Sequence, residues 1–181
     1  LQAFTQITKT AQAEAVLRQG LSQWHGLHTL AGHTDTVTGF FFSHDGRYLA
    51  SSSTDDTARV WDLATGERVL TIDAHAGDVS AVLISGDSRR LITSSRDGAT
   101  RIWRLPGGEL QHEIVIPGVA DGIRSLSLHP NGQWMALRAG AQIWLYDIAT
   151  AQPLAHSPYM VAADQPVALR SLAFTADGNQ I

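Results

Sequence analysis

The sequence repeats itself four times, and this repetition limits the possible folds more than any other feature. The copies begin at apolar residues that are 42, 44 and 46 positions apart: Val37, Val79, Ile123 and Leu169. Each copy alternates apolar residues with small or polar ones and then reaches a turn, such as SHDG at 43–46. Alternation ended by Asp-Gly or Asn-Gly is typical of β-hairpins, because those residues tolerate positive φ angles. A period of this length predicts a repeat architecture.

Each repeat has room for four short strands. The predicted second strands are 48–53, 91–95 and 134–138, and the predicted fourth strands are 68–72, 110–116 and about 153–157. The predicted third strands end in Val60-Trp61-Asp62, Ile102-Trp103-Arg104 and Leu145-Tyr146-Asp147. Four antiparallel strands in so few residues match one blade of a β-propeller. We therefore predict an all-β fold of propeller blades over residues 27–181, about three and a half repeats of a partial ring, with a leading outer strand at 27–30.

The first two repeats resemble the WD-repeat family. The first repeat carries Gly32-His33 before strand one and Trp61-Asp62 at the end of strand three. In that family a His, a Ser or Thr, an Asp and a Trp form a buried hydrogen-bonded tetrad in each blade. The resemblance implies two such tetrads, which are His33, Ser51, Asp55 and Trp61 in the first repeat and His75, Thr93, Asp97 and Trp103 in the second.

The third repeat departs from that pattern. Val119 stands where the His belongs, Tyr146 replaces the Trp, and neither Ala136 nor Leu137 can serve as the Ser. Because a half-satisfied buried polar network is costly, we predict that apolar packing alone holds this blade.

Residues 1–26 follow a helical pattern instead. Ala13, Leu17, Leu21 and Trp24 recur at steps of four, four and three, which predicts a short N-terminal helix. The simpler interpretation is a linker helix on the propeller rim. The segment AEAVLR at 13–18 that leads into LAGHTDTV also resembles bacterial signalling proteins of the STAND NTPase class, in which a C-terminal WD-repeat sensor follows a nucleotide-binding module. A partial ring leaves apolar faces open, so we expect the remaining blades in the same longer chain, or else assembly of copies into a ring.

Composition and charge limit the cellular compartment and the classes of partner that can be expected. There is no cysteine, which excludes disulfides and thiolate metal sites and fits a reducing compartment, so we expect a cytoplasmic protein. The apolar runs are too short to span a membrane, and no membrane partner is expected. A net charge of −4 gives no overall electrostatic reason to expect nucleic acid as a partner.

Catalytic motifs do not emerge from the pattern. The sequence contains no phosphate-binding P-loop, no GxGxxG, no GxSxG and no HExxH. Ser51, His33 and Asp55 have the residue types of a catalytic triad, but in the family the Trp closes this group off from solvent. We therefore expect no catalytic residue, metal site or cofactor. Arg59 and Arg101, each two residues before a tetrad Trp, are interpreted as blade-edge residues whose stems pack on apolar surface.

Recognition is expected on the face where the first strands begin, because the family usually meets its ligands there. The matching positions are Thr36, Thr38, Thr54, Asp78, Ser80, Arg96, Arg124 and Arg170. The three arginines come from successive blades and are predicted to form one arc that docks an acidic segment of a protein or peptide. We thus predict a non-catalytic interaction or ligand-sensing module of a larger signalling protein. Two alternatives remain: a propeller face that binds nucleic acid or another polyanion, and an enzyme domain that uses such a face.

Overall fold

The computed structural model describes residues 29–116, 122–155, 159–160 and 172–181. Its strands form three four-stranded antiparallel sheets, and neighbouring strands in each sheet follow the chain order. Blade 1 contains β1 Val37–Phe42, β2 Tyr48–Ser53, β3 Ala58–Asp62 and β4 Arg68–Ile72. Blade 2 contains β5 Val79–Ile84, β6 Arg90–Ser95, β7 Ala99–Arg104 and β8 Leu110–Val115. Blade 3 contains β9 Ile123–Leu128, β10 Trp134–Ala139, β11 Gln142–Asp147 and β12 Tyr159–Met160.

These sheets confirm the all-β prediction for the part of the chain that the structure describes. Strands β2 and β4 have the predicted bounds, and β6, β8 and β10 differ from them by one residue. The predicted N-terminal helix, Val119 and Arg170 lie outside the described residues. Of the leading outer strand expected at 27–30, Thr29 and Leu30 are described and form no strand. No helix in the described ranges is long and apolar enough to cross a membrane.

The outer strand of blade 3 differs from the prediction. It was expected at about 153–157, of which residues 153–155 are described; among these only Pro153 forms a bridge, with Tyr146, and residues 156–157 lie outside the described residues. Within the described residues, the strand that pairs with β11 is β12, whose Tyr159 and Met160 lie opposite Ile143 and Gln142. Proline has no backbone N–H, so it cannot continue a ladder of hydrogen bonds at this point.

The apolar residues that alternate along the strands form two cores, one between each pair of successive blades. Between blades 1 and 2, the core includes Val60 from β3 and Leu91 and Trp103 from blade 2. Between blades 2 and 3, it includes Ile102 from β7 together with Leu137 from β10. One face of each blade therefore packs on the opposite face of the next, and the first strands lie against each other.

A β-bulge stands at the beginning of each of the three described first strands, β1, β5 and β9. In blade 1, Val37 pairs with Ser53 and Gly39 pairs with Ser52, so Thr38 is the extra residue. The same shift makes Ser80 the extra residue in blade 2. In blade 3 the extra residue is Arg124, between the paired residues Ile123 and Ser125. A bulge re-aims the side chain of its extra residue, so three equivalent side chains are redirected at this edge of the blades.

Candidate functional site

The first candidate group is the hydrogen-bonded tetrad of blade 1. The His33 Nδ1 atom lies 2.9 Å from Asp55 Oδ2, and its Nε2 atom lies 2.8 Å from Ser51 Oγ. The Trp61 indole N–H donates to the same Ser51 Oγ at 3.0 Å. Because a carboxylate can only accept, Nδ1 carries the His33 proton and Ser51 donates its own proton to Nε2. The chain of bonds therefore runs from Trp61 through Ser51 and His33 to Asp55.

This arrangement shares the residue types of a hydrolase triad but leaves no open nucleophile. Ser51 is buried, and its oxygen already accepts the hydrogen bond from Trp61. The side chains of His33 and Asp55 are only 7% and 5% exposed, so both lie inside the packed blade. The tetrad ties the loop before β1, strand β2 and strand β3 together.

Blade 2 repeats the tetrad with one conservative change. His75 Nδ1 lies 3.0 Å from Asp97 Oδ2, and His75 Nε2 lies 2.8 Å from Thr93 Oγ1. The Trp103 indole N–H donates to Thr93 Oγ1 at 2.9 Å. Thr93 thus takes the place that Ser51 has in blade 1.

The tetrad aspartates are strongly stabilised as anions. Burial opposes ionisation of Asp55, but hydrogen bonds from Thr57, the Thr34 N–H and His33 outweigh it and hold the pKa of Asp55 well below its usual range. Burial also opposes ionisation of Asp97, whose pKa is held well below its usual range mainly by Arg101.

The histidine of blade 2 stays neutral under ordinary conditions. Burial lowers the pKa of His75, and this effect outweighs the hydrogen bond to Asp97, which acts in the opposite direction. The two groups therefore form a neutral histidine beside an ionised aspartate.

Arginines adjoin both tetrads, and the sequence interpretation of them as blade-edge residues is wrong. Arg101 Nη1 donates to Asp97 Oδ2 at 2.8 Å, and Arg101 Nη2 lies 2.7 Å from Glu113 Oε1. Arg59 Nη2 lies 3.8 Å from Asp55 Oδ2, and Arg59 is buried. The sequence could have indicated these contacts, because residues two apart on a strand lie on the same face. Arg59 is two residues before Trp61 and therefore lies on the face that carries the tetrad.

Blade 3 replaces the polar network with apolar side chains. Leu137 has the position in blade 3 that Ser51 has in blade 1. Its partners on the neighbouring strands are Leu126 and Trp144, whereas those of Ser51 are Phe40 and Arg59. Leu137 is fully buried, and Tyr146, at the tetrad Trp position, is 7% exposed. Burial raises the pKa of the Tyr146 hydroxyl.

The second candidate group lies at the strand-start edge, which we define as the ends of the blades where β1, β5 and β9 begin. In blade 1 the Thr54 N–H donates to the Thr36 carbonyl at 2.9 Å. In blade 2 the Arg96 N–H donates to the Asp78 carbonyl at 3.0 Å, and Arg96 Nη1 lies 3.0 Å from Asp78 Oδ2. In blade 1, Thr36 and Thr54 are therefore neighbours, and in blade 2, Asp78 and Arg96 are.

The bulge residues Thr38 and Ser80 also connect the blades. The Thr38 hydroxyl donates to the Val79 carbonyl at 2.5 Å, and the Ser80 hydroxyl donates to the Ile123 carbonyl. Each bond runs from one bulge to the residue before the next bulge. At least part of the hydrogen-bonding capacity of these two residues is therefore used inside the protein.

Blades 2 and 3 approach very closely at the same edge. Gly122 has a φ of +68°, and a side chain there would collide with the Arg96 backbone. Gly122 precedes Ile123 and the exposed bulge residue Arg124. The structure thus places Arg96 and Arg124 on adjacent segments of one edge, whereas Arg170, the third predicted member of the arc, lies outside the described residues.

A further arginine adds positive charge beside Arg124. Arg138 is 7% exposed and takes the position that Ser52 and Ser94 have in the other blades. Burial and the nearby charge of Arg124 lower the pKa of Arg138. Within the described residues, no group of three His, Cys, Asp or Glu side chains could hold a metal ion.

Comparisons with known proteins agree with the repeat pattern. Residues 24–62 and 66–104 match the family described as WD domain, G-beta repeat. The chain is 54% identical over 44 residues to Protein Mut11 of Chlamydomonas reinhardtii, a match that covers 24% of this chain and 12% of that protein. It is 54% identical over 35 residues to a WD repeat-containing protein 26 homolog of Arabidopsis thaliana, which covers 19% of this chain and 6% of that protein.

A bacterial relative matches to a similar extent. An uncharacterized WD repeat-containing protein of Synechocystis is 45% identical over 47 residues, 25% of this chain and 14% of that protein. The chain therefore contains WD repeats, and each match spans only a small part of the relative's length. Domains built from such repeats generally mediate protein–protein interactions and are generally non-catalytic.

Proposed function

We propose that this chain is a non-catalytic protein-interaction module and that its strand-start edge binds an acidic segment of a partner protein. The observation that carries the proposal is the backbone contact between Gly122 and Arg96, which brings Arg96 and Arg124 of successive blades to one edge. Rigid sheets that present loops and strand ends are well suited to recognition. The arginine fork can grip a carboxylate with two parallel hydrogen bonds.

The ion pair already present at this edge is compatible with binding. Arg96 and Asp78 belong to the same blade, and their side chains are 59% and 29% exposed. An ion pair this exposed contributes only about 0–1 kcal/mol, so a partner carboxylate can replace Asp78 at little cost. Asp78 repels any acidic ligand, so binding favours a partner whose carboxylates contact Arg96 and Arg124 closely enough to outweigh that repulsion.

The proposal extends to the larger protein of which this chain would be a part. We propose that the chain is the WD-repeat part of a larger cytoplasmic signalling protein, in which this edge senses a protein or peptide. The resemblance of residues 13–18 and the following repeat to the STAND NTPase class supports this setting. Arg170 extends the arc onto the fourth repeat in this proposal.

The experiment is charge reversal at the bulge. Binding of a fluorescent oligo-glutamate peptide is measured by anisotropy for the wild type, Arg124→Glu and Arg104→Glu. Arg104 is exposed at the opposite end of its blade, so its reversal changes the net charge equally. Arg124→Glu is expected to weaken binding by about tenfold or more, since repulsion replaces attraction.

Two results would count against the proposal. Equal weakening by Arg104→Glu would mean that the peptide responds to net charge and not to this edge. Tighter binding of a single-stranded DNA oligonucleotide than of the peptide at the same salt concentration would favour the polyanion alternative.

A further inference from the structure

Arg59 of blade 1 is a buried cation with unused hydrogen-bond donors. Its side chain is 9% exposed, and the nearest carboxylate oxygen among its ion pairs, Asp55 Oδ2, lies 3.8 Å from Nη2. The Nε and Nη1 atoms are buried and have no hydrogen-bond partner. A buried donor without an acceptor is costly, so such a group is expected to have a partner that completes it.

Blade 2 shows what completes the equivalent arginine. Arg101 has the same register as Arg59, because each pairs with the tetrad hydroxyl residue on the second strand. The residue opposite Arg101 on the outer strand is Glu113, whose carboxylate lies 2.7 Å from Arg101 Nη2. The residue opposite Arg59 is Thr71, which has no carboxylate. Blade 1 therefore has Arg59 in place of Arg101 but has no carboxylate in place of that of Glu113.

A second difference gives the Arg59 side chain a distinct position. A Cβ atom on Gly32 would collide with Arg59 Nη1, so the guanidinium group lies directly over the Gly32 backbone. The corresponding residue of blade 2 is Ala74, which has a methyl side chain where Gly32 has none. Arg68 Nη1 comes within 3.5 Å of the same point above Gly32. Two guanidinium groups thus meet above a glycine, while Gly32, Arg68 and Thr71 are exposed and leave the rim accessible.

We propose that these four residues, Gly32, Arg59, Arg68 and Thr71, form a carboxylate socket that takes an Asp or Glu side chain of a partner protein. The incoming carboxylate occupies the place that Glu113 fills in blade 2. It accepts from the unused Arg59 donors and is held from the exposed side by Arg68. The site is built from β3, β4 and the segment before β1 of blade 1 and shares no residue with the strand-start edge, so it does not depend on the function proposed for that edge.

The surroundings favour a carboxylate over a phosphate. Asp55 is ionised and lies 3.8 Å from Arg59, so a negative charge already stands on one side of the socket. A singly charged carboxylate meets less repulsion there than a phosphate that carries up to two charges. The Glu113 arrangement in the same chain also shows that a carboxylate fits this register of arginine and outer strand.

Thermal unfolding of the full chain in sodium acetate and in sodium chloride of equal ionic strength tests the socket. A ligand that binds only the folded state raises the melting temperature. We expect acetate to raise the melting temperature of the wild type above its value in chloride. Thr71→Glu supplies an internal carboxylate opposite Arg59 and should abolish this acetate effect, whereas Thr71→Gln, which is uncharged, should retain it.

Two more variants identify the groups involved. Arg59→Lys keeps the charge but loses the planar fork, so most of the acetate effect should disappear. Glu113→Thr removes the acid of blade 2 and should increase the effect, because Arg101 then has an unpaired donor. An acetate effect of equal size in the wild type, Thr71→Glu and Arg59→Lys would overturn the proposal. Inorganic phosphate that stabilises the wild type more than acetate does would overturn the choice of a carboxylate.

Discussion

The backbone N–H of Gly86 donates a hydrogen bond to the carbonyl oxygen of Gly132 at 3.1 Å, which joins the turns of blades 2 and 3. A Cβ atom on Gly86 would lie 2.7 Å from the Gly132 α-carbon, closer than real side chains come. The two turns can therefore meet only while Gly86 has no side chain.

Gly86→Ala should consequently destabilise the protein by about 1–3 kcal/mol, because the turns of two packed blades must separate. Urea unfolding measures the change. Gly77→Ala is the matched control, since its added Cβ would make only an ordinary contact of 3.6 Å with the Asp97 backbone nitrogen. Equal losses for the two variants would show that the close approach of the turns has no energetic role.

Asp55→Ala should destabilise the protein by roughly 1–3 kcal/mol. The substitution leaves buried His33 without its acceptor and removes the hydrogen bonds that Thr34 and Thr57 make to the carboxylate. Thermal or urea unfolding would measure the loss, and Asp73→Ala, at an exposed position, is the control. A loss no greater than that of the control would mean that the tetrad adds nothing to stability.

Stability should fall in two stages as the solution becomes acidic. Burial lowers the pKa of His75, so below the unfolded value of about 6.5 the unfolded chain binds a proton that folded His75 does not. The contribution of His75 is complete above about pH 6.5 and declines as the pH falls toward its folded pKa. Asp55 and Asp97 have pKa values held well below their usual range, so their contribution is complete above about pH 4 and is lost below it.

Melting temperatures measured from neutral to acidic pH check this order of events. His75→Asn should flatten the first stage, whereas His44→Asn, in an exposed turn, should leave it unchanged. A first stage of the same size in the wild type and His75→Asn would assign that stage to another group.

The chain studied alone should self-associate. On blade 1, Val37 and Phe40 are 51% and 46% exposed, whereas the equivalent Val79 and Val82 of blade 2 are buried against blade 1. Exposed apolar sheet faces and open strand edges are templates for association. Light scattering at micromolar concentration should show species larger than a monomer, and Phe40→Ser should reduce them. A stable monomer in the wild type would contradict the expectation.

Much of the fold follows from local sequence patterns. The alternation and turn residues that precede Tyr48 and Leu91 are local signals, and they led to strand bounds close to those observed. The tetrad positions were implied by the resemblance to the WD-repeat family, and local strand patterns alone did not give them. Hydrogen bonds from His33 to Ser51 and Asp55 agree with that placement.

The missed features depend on contacts between strands that no local pattern encodes. The pairing of Arg101 with Glu113 requires the register of β7 against β8. The close approach of Gly122 to Arg96 depends on how two blades pack. The outer strand of blade 3 was misplaced because Pro153 looked like part of a strand, although its missing N–H limits it to a single bridge.

The bulges at the starts of the first strands also influence how such a protein can change. Thr38, Ser80 and Arg124 are extra residues outside the pairing ladder, so replacing one of them does not shift the register of its sheet. Two of them bond to the following blade, and the third carries an exposed charge. A bulge position can thus carry either a hydrogen bond to the next blade or an exposed charge. Substitutions there can change what one repeat binds without changing the strand register of its sheet.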